Sequence, residues 1–224
     1  MKTCLRFLWA LLVLAPLAQS ALAGAWLEGE GQGFISTATR MRQDAAEVSA
    51  YAAYGLRPAL TLGLDLNRSH GTGQDSARAL LFARLPLRRS ETGWQLATVL
   101  SFGMVRPAQD WDLMQRLTLS AGRGWSLGQR SGWIALDLGH ERLATYGQAA
   151  WKLDATLGLN PTGTRPAPLM QVEFYQPDQT DLQWKLLPAL RWPLPEGRDL
   201  VTGIELRSTD QSRLGLRLEL WQRF

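Results

Sequence analysis

The stretch that decides the fold is Arg213-Leu214-Gly215-Leu216-Arg217-Leu218-Glu219-Leu220-Trp221-Gln222-Arg223-Phe224. Leu214, Leu216, Leu218 and Leu220 recur at every second position, and Phe224 keeps their phase. Arg213, Gly215, Arg217 and Glu219 fill the alternate phase. A period of two sends successive side chains to opposite sides of an extended backbone, so this is a β-strand with one apolar and one polar face. It finishes on an aromatic residue. Gln222 interrupts the apolar phase, and Trp221 falls one place off it.

The same alternation recurs back through the chain. Leu60, Leu62, Leu64 and Leu66 alternate with Thr61, Gly63, Asp65 and Asn67. Ile134, Leu136 and Leu138 oppose Asp137 and Gly139, and Trp151, Leu153 and Leu157 oppose Lys152, Asp154 and Thr156. Met170, Val172 and Phe174 oppose Gln171 and Glu173, and Ile204 and Leu206 oppose Glu205 and Arg207. Ala25 to Gly31 reads as a short lead-in, and Arg40 to Ala45 as a charged turn. The pattern predicts about twelve strands of roughly nine to twelve residues, the length that a tilted membrane strand needs. Connections are short, and an even count puts both termini at one side.

Met1 to Ala23 reads as a cleavable secretory signal. Lys2 and Arg6 form a positive n-region, Phe7 to Leu17 an apolar h-region, and Ala21-Leu22-Ala23 a small-x-small cleavage site. The single Cys, Cys4, would leave with it, and with it any disulfide, thiolate nucleophile or Cys metal ligand. Loss of Lys2 and Arg6 lowers the net charge of +4 by two, so the remaining Arg excess is small and points to no nucleic-acid partner. After the signal no apolar run is long enough for a membrane helix. A bilayer leaves no backbone polar group unpaired, so a membrane protein of this composition must be a closed barrel.

The closing strand resembles that of Gram-negative outer-membrane β-barrels, which end on a C-terminal Phe preceded by apolar residues at alternate positions. The resemblance covers the last strand and the general architecture and points to no specific family. It implies an all-β fold over residues 24–224: a single transmembrane, up-and-down antiparallel β-barrel of about 12 strands in the bacterial outer membrane. Outer-membrane lipids would surround it. Phe224 would be the assembly signal through which the barrel assembly machinery recognises the C-terminal strand. With the N-terminus in the periplasm, the outer loops fall near 40–45, 69–74, 106–110, 141–148, 176–180 and 208–211.

Alternation alone does not say which face is outside. Three features place the leucines outside. The polar faces carry mid-strand charges of both signs. They also carry Gly63, Gly103, Gly122, Gly139, Gly158, Gly203 and Gly215, which let a closing sheet curve and leave room for long charged neighbours. Trp94, Trp111, Trp125, Trp133, Trp151, Trp184, Trp192 and Trp221 fall near strand ends, where interfacial girdles belong. Asp65, Arg116, Asp137, Lys152, Asp154, Glu173, Lys185, Glu205 and Arg217 are then the candidate lumen-lining residues.

Two readings of that lumen stand. Its charges pair across the wall and stabilise an occluded structural or interaction barrel, or they line a polar channel for small solutes. A barrel of twelve strands lies between filled eight-stranded barrels and open porins, so size does not choose. A lipid- or lipopolysaccharide-directed enzyme is the third class. It rests on His140, on the apolar face at an outer strand end, but Asp112 to Leu117 and Gly147 to Leu153 supply no Ser or Thr nucleophile. His70 lies in a turn-like Ser69-His70-Gly71 stretch with Asp75 nearby. Two His residues make a metal site improbable, and no cofactor motif is present. The sequence therefore names no catalytic residue, no metal and no cofactor.

Overall fold

The computed structural model describes residues 24–224 other than 72–74, 108–109, 146, 179 and 209–212. The expected signal peptide, residues 1–23, and parts of five expected outer loops lie outside the described residues. Twelve antiparallel strands form one closed barrel: β1 (Gly33–Arg42), β2 (Ala45–Arg57), β3 (Leu60–Gly71), β4 (Ser76–Arg88), β5 (Gln95–Arg106), β6 (Asp112–Leu127), β7 (Arg130–Leu143), β8 (Ala149–Leu159), β9 (Ala167–Pro177), β10 (Gln183–Leu194), β11 (Arg198–Arg207) and β12 (Leu214–Arg223). Each strand pairs with its chain neighbours, and β1 closes on β12 with Phe34 opposite Arg223 and Arg42 opposite Gly215. Gly33 and Phe224 exchange backbone hydrogen bonds of 2.7 and 3.0 Å at that seam. Closure removes the free edge that an open sheet would expose.

The alternation fixes which way side chains point. Leu64, Leu81 and Phe102 sit side by side across β3, β4 and β5 on the outer surface, and Leu81 is 68 % exposed. Leu214, Leu216 and Leu218 continue the apolar exterior on β12. A predominantly apolar, leucine-rich outside suits hydrocarbon and not water.

Several strands run further than the sequence contrast suggests. Arg40 and Arg42 belong to β1 and face inward rather than lying in a charged turn. Ser69 and Glu141 likewise sit within β3 and β7. A charge at a strand end is not a turn signal when the space it faces is polar. Two of the eight Trp residues expected in the girdle are also misplaced: Trp133 and Trp221 are buried inside the barrel. Beside Trp133, Gly132 and Ile134 give no polar contrast, while Trp221 keeps the inward phase of Arg217 and Glu219.

Several inward glycines serve rings rather than long charged side chains. Any Cβ at Gly158 would collide with the Trp133 ring, and any Cβ at Gly122 with the ring of Trp26. The barrel wall thus has sockets into which indoles fit.

Candidate functional site

The lumen divides into two halves. Call the side where both termini lie the terminal end, and the opposite side the far end. Toward the terminal end the inner face is a core. Phe34, Trp133, Ala135, Leu169, Val201 and Trp221 form one buried cluster, with Trp26, Tyr51 and Ala189 packed against it. Tyr51 stacks on Phe82 at 5.2 Å between ring centres, and Phe34 meets Trp221 edge-on at 6.1 Å. Arg191 spans the faces of Trp133 and Trp221 at 5.7 and 5.4 Å while its guanidinium pairs with Asp199 at 2.8 Å. Such a buried charge is tolerated because both its carboxylate and its aromatic partners are in place.

The lead-in completes this half. Residues 24–32 do not hang from the barrel; they fold into its terminal mouth. Ala25 and Glu28 are buried. The Glu28 amide donates to Thr61 Oγ1 at 3.0 Å, and Gly31 donates to the Gly55 carbonyl at 2.9 Å. Arg84 donates to the Trp26 carbonyl and to the Tyr51 hydroxyl, each at 2.6 Å. Burial pushes the Glu28 carboxyl up from its ordinary value, and the nearby Arg84 and Arg223 guanidiniums oppose that only in part.

Toward the far end the inner face is ionic. Arg40 of β1 reaches Glu47 of β2 and Glu173 of β9 at 3.3 Å each, and lies 3.7 Å from Glu205 of β11. Arg42 pairs with Glu205 at 2.9 Å, and Lys185 with Glu173 at 3.5 Å. A second group joins Arg78 to Asp65 at 3.2 Å, Arg116 to Asp65 at 3.4 Å and Arg116 to Glu141 at 2.8 Å. Lys152 pairs with Asp154 at 2.7 Å. The Arg40–Glu173 and Asp65–Arg116 pairs join strands that are not neighbours in the sheet. They cross the lumen as struts and narrow it.

All nine candidate lumen residues face inward, but the structure distributes them. Asp65, Arg116, Lys152, Asp154, Glu173, Lys185 and Glu205 share the ionic half. Asp137 lies deeper, accepting a hydrogen bond from Ser120 at 2.5 Å. Arg217 pairs with Glu219 and donates to Gln171 across the barrel. The sequence reading omitted Arg40, Arg42, Glu47, Arg78 and Glu141, which hold the struts together. Arg40 and Arg42 stand two residues apart, in phase with Ala38, and that spacing was the signal available. It also omitted the aromatic floor and the docked lead-in, which carry no alternation of polarity to read.

Two neighbouring cavities lie within the lumen. The outer one, of about 500 Å³, opens near Ser69, Ser76 and Arg207 and is lined by the struts. The deeper one, of about 310 Å³, reaches down to Gly24, Phe34, Trp133 and Trp221. They share Tyr51, Asp65, Lys152 and Glu173 as common walls. The result is a polar well, entered from the far end, with an aromatic floor.

His140 is on the outer surface, tilted against Trp151 at 4.7 Å, with Leu117 and Trp151 opposite it on the two adjacent strands. His70 contacts Asp75 at 2.5 Å on the exposed rim. Among the described residues no group of three His, Cys, Asp or Glu side chains could hold a metal ion.

No protein-family model matches the chain, and no curated protein matches it. Solved structures share its fold. The KdgM porin superposes with a TM-score of 0.60 at 9 % identity, over 85 % of this chain and 99 % of that one. The NanC porin gives 0.58 at 8 %, over 84 % and 98 %. LpxR from Salmonella typhimurium gives 0.57 at 8 %, over 86 % and 99 %. At such identities the likeness is one of fold: this chain has the closed architecture of bacterial outer-membrane barrels.

Proposed function

We propose that this chain is an exported outer-membrane barrel that forms a narrow channel for small polar solutes, caught here with its terminal end closed. The single observation carrying this reading is the polar well, which runs from the far mouth past the struts to the docked lead-in. A barrel built only to be filled would have no reason to keep two adjoining cavities that share charged walls. The near balance of cations and anions along the well favours small zwitterionic or neutral polar solutes over ions of one sign, because each strut offers a donor and an acceptor together. The far end is the extracellular mouth in this reading, the leucine belt meets lipid, and Phe224 and β12 are what the barrel assembly machinery recognises. The porin neighbours support the channel reading by shared fold.

The aromatic floor favours a second reading, an occluded structural or interaction barrel. Liposomes carrying the folded protein separate the two. Swelling with amino acids or small sugars, and discrete conductance steps in planar bilayers, are expected for the channel. No uptake of any solute and no step from folded protein would reject it and leave the occluded barrel.

A further inference from the structure

Gly24 is the first residue after the Ala21-Leu22-Ala23 cleavage site, and it lies inside the lumen. A Cβ placed on Gly24 would collide with the Asp137 carboxylate, so its α-carbon already touches that group. The Gly24 nitrogen is one bond further, about 1.46 Å from the α-carbon. Asp137 has a carboxylate to spare. Ser120 of β6 donates to one oxygen at 2.5 Å, and among the described residues no Lys or Arg lies within ion-pair distance of it. The other charged groups lining the same cavity are otherwise occupied. Asp154 of β8 stands directly opposite in register and repels it, and Lys152 is held by Asp154 at 2.7 Å. Arg84 of β4 is committed to the Trp26 carbonyl and the Tyr51 hydroxyl. A carboxylate this deep, facing a second carboxylate, calls for a cation.

Export supplies one. Hydrolysis of the Ala23–Gly24 peptide bond adds water across it, leaving the carboxylate on Ala23 and an amine on Gly24. That amine takes a proton at neutral pH, since a free α-amino group titrates near 7.7–8.0. We infer that processing after Ala23 creates the latch of the lead-in: the new Gly24 α-ammonium seats on Asp137 inside the lumen. Before cleavage this position is a neutral amide, and among the described residues no Lys or Arg forms an ion pair with the carboxylate. After cleavage the chain's own terminus pins residues 24–32 into the mouth. The inference deepens the channel reading, because it rests on the lead-in being the seal.

The test is acylation of the α-amine by an amine-reactive ester at neutral pH, followed by mass spectrometry on protein purified from outer membranes. Intact mass should place the mature start at Gly24; a start elsewhere overturns the inference. Acylation of Gly24 should be about tenfold slower in the wild type than in Asp137→Asn, the effect of a one-unit rise in the amine's hold on its proton. Asp137→Glu, which keeps the charge, should stay slow. Equal rates in wild type and Asp137→Asn overturn the latch. Should Asp137→Asn fail to fold, the folded wild type against its heat-unfolded chain gives the same contrast, and equal rates there overturn it too. Slow acylation in a protein without conductance would sink the channel and keep the latch, whereas conductance with fast acylation would do the reverse.

Discussion

The terminal and far halves of the lumen are built from the same twelve strands, yet they solve opposite problems. The terminal half fills its cross-section with rings. Trp133, Trp221 and Phe34 pack as the core of a soluble protein would, with glycine sockets receiving the indoles. The far half cannot fill its cross-section and bridges it instead, with Arg40, Glu173, Asp65 and Arg116 reaching across. Apolar packing is non-directional and tolerates no water, so it seals. Ion pairs are directional and leave water between them, so they narrow without closing. The contrast teaches that the inner face of a barrel of this size is two environments, which meet at Tyr51 and Asp65.

The largest expected effects strike the packing of each half. Trp133→Ala should cost about 3–5 kcal/mol of barrel stability, the range for emptying a buried aromatic site, and should enlarge the deep cavity; urea unfolding in lipid vesicles measures the first. A loss under 1 kcal/mol would mean that the terminal half is not a core. Glu205→Gln should approach the same size for a different reason. It leaves Arg40, Arg42 and Arg207 without the buried carboxylate they surround, and removing one partner of a buried ion pair typically costs about 3–5 kcal/mol. Water in the far half would reduce that figure, so Glu205→Gln measures how dry the struts are.

On the outside, Leu81→Arg should cost about 2–4 kcal/mol near mid-membrane, read from the same unfolding curves. A neutral result would mean that this face does not meet hydrocarbon.

The smallest effect is a pH dependence of the lead-in. The folded Glu28 carboxyl titrates above its ordinary 4.5 because burial disfavours its charge. Its contribution to docking is therefore full below 4.5 and fades as pH rises through the raised value. Hydrogen exchange of residues 25–31, corrected for intrinsic rate, should slow a few-fold on going from neutral to mildly acidic pH. Glu28→Gln should abolish that difference; an unchanged difference would assign it to another group.

The architecture was legible because leucine alternation sets strand phase independently of what lies inside. It supplied the closed barrel and the twelve strands, and it put Asp65, Arg116 and Glu205 on one face. The pairing of those charges was not legible, since Arg40 meets Glu173 only through curvature that brings β1 opposite β9. Trp133 was misread because Gly132 and Ile134 beside it give no polar contrast, whereas Trp221 shares the phase of Arg217 and Glu219 and was misread because it stands near a strand end. Arg40 and Arg42 looked like a turn because charge usually marks the outer surface of a protein, and here it marks the face turned to the lumen. The lead-in gave no signal at all: Ala25 to Gly31 has no period, and its place is set by a mouth assembled from distant strands.

The central claim is that residues 24–32, with Trp26 packed on the aromatic floor, complete the seal at the terminal end of the well. Single-channel recording of the intact mature protein beside a variant lacking residues 25–31, both folded in the same bilayer, tests it most directly. The expected result is brief, small steps from the intact protein and larger, sustained conductance from the shortened one. Identical conductance in the two, or none in either, would contradict it.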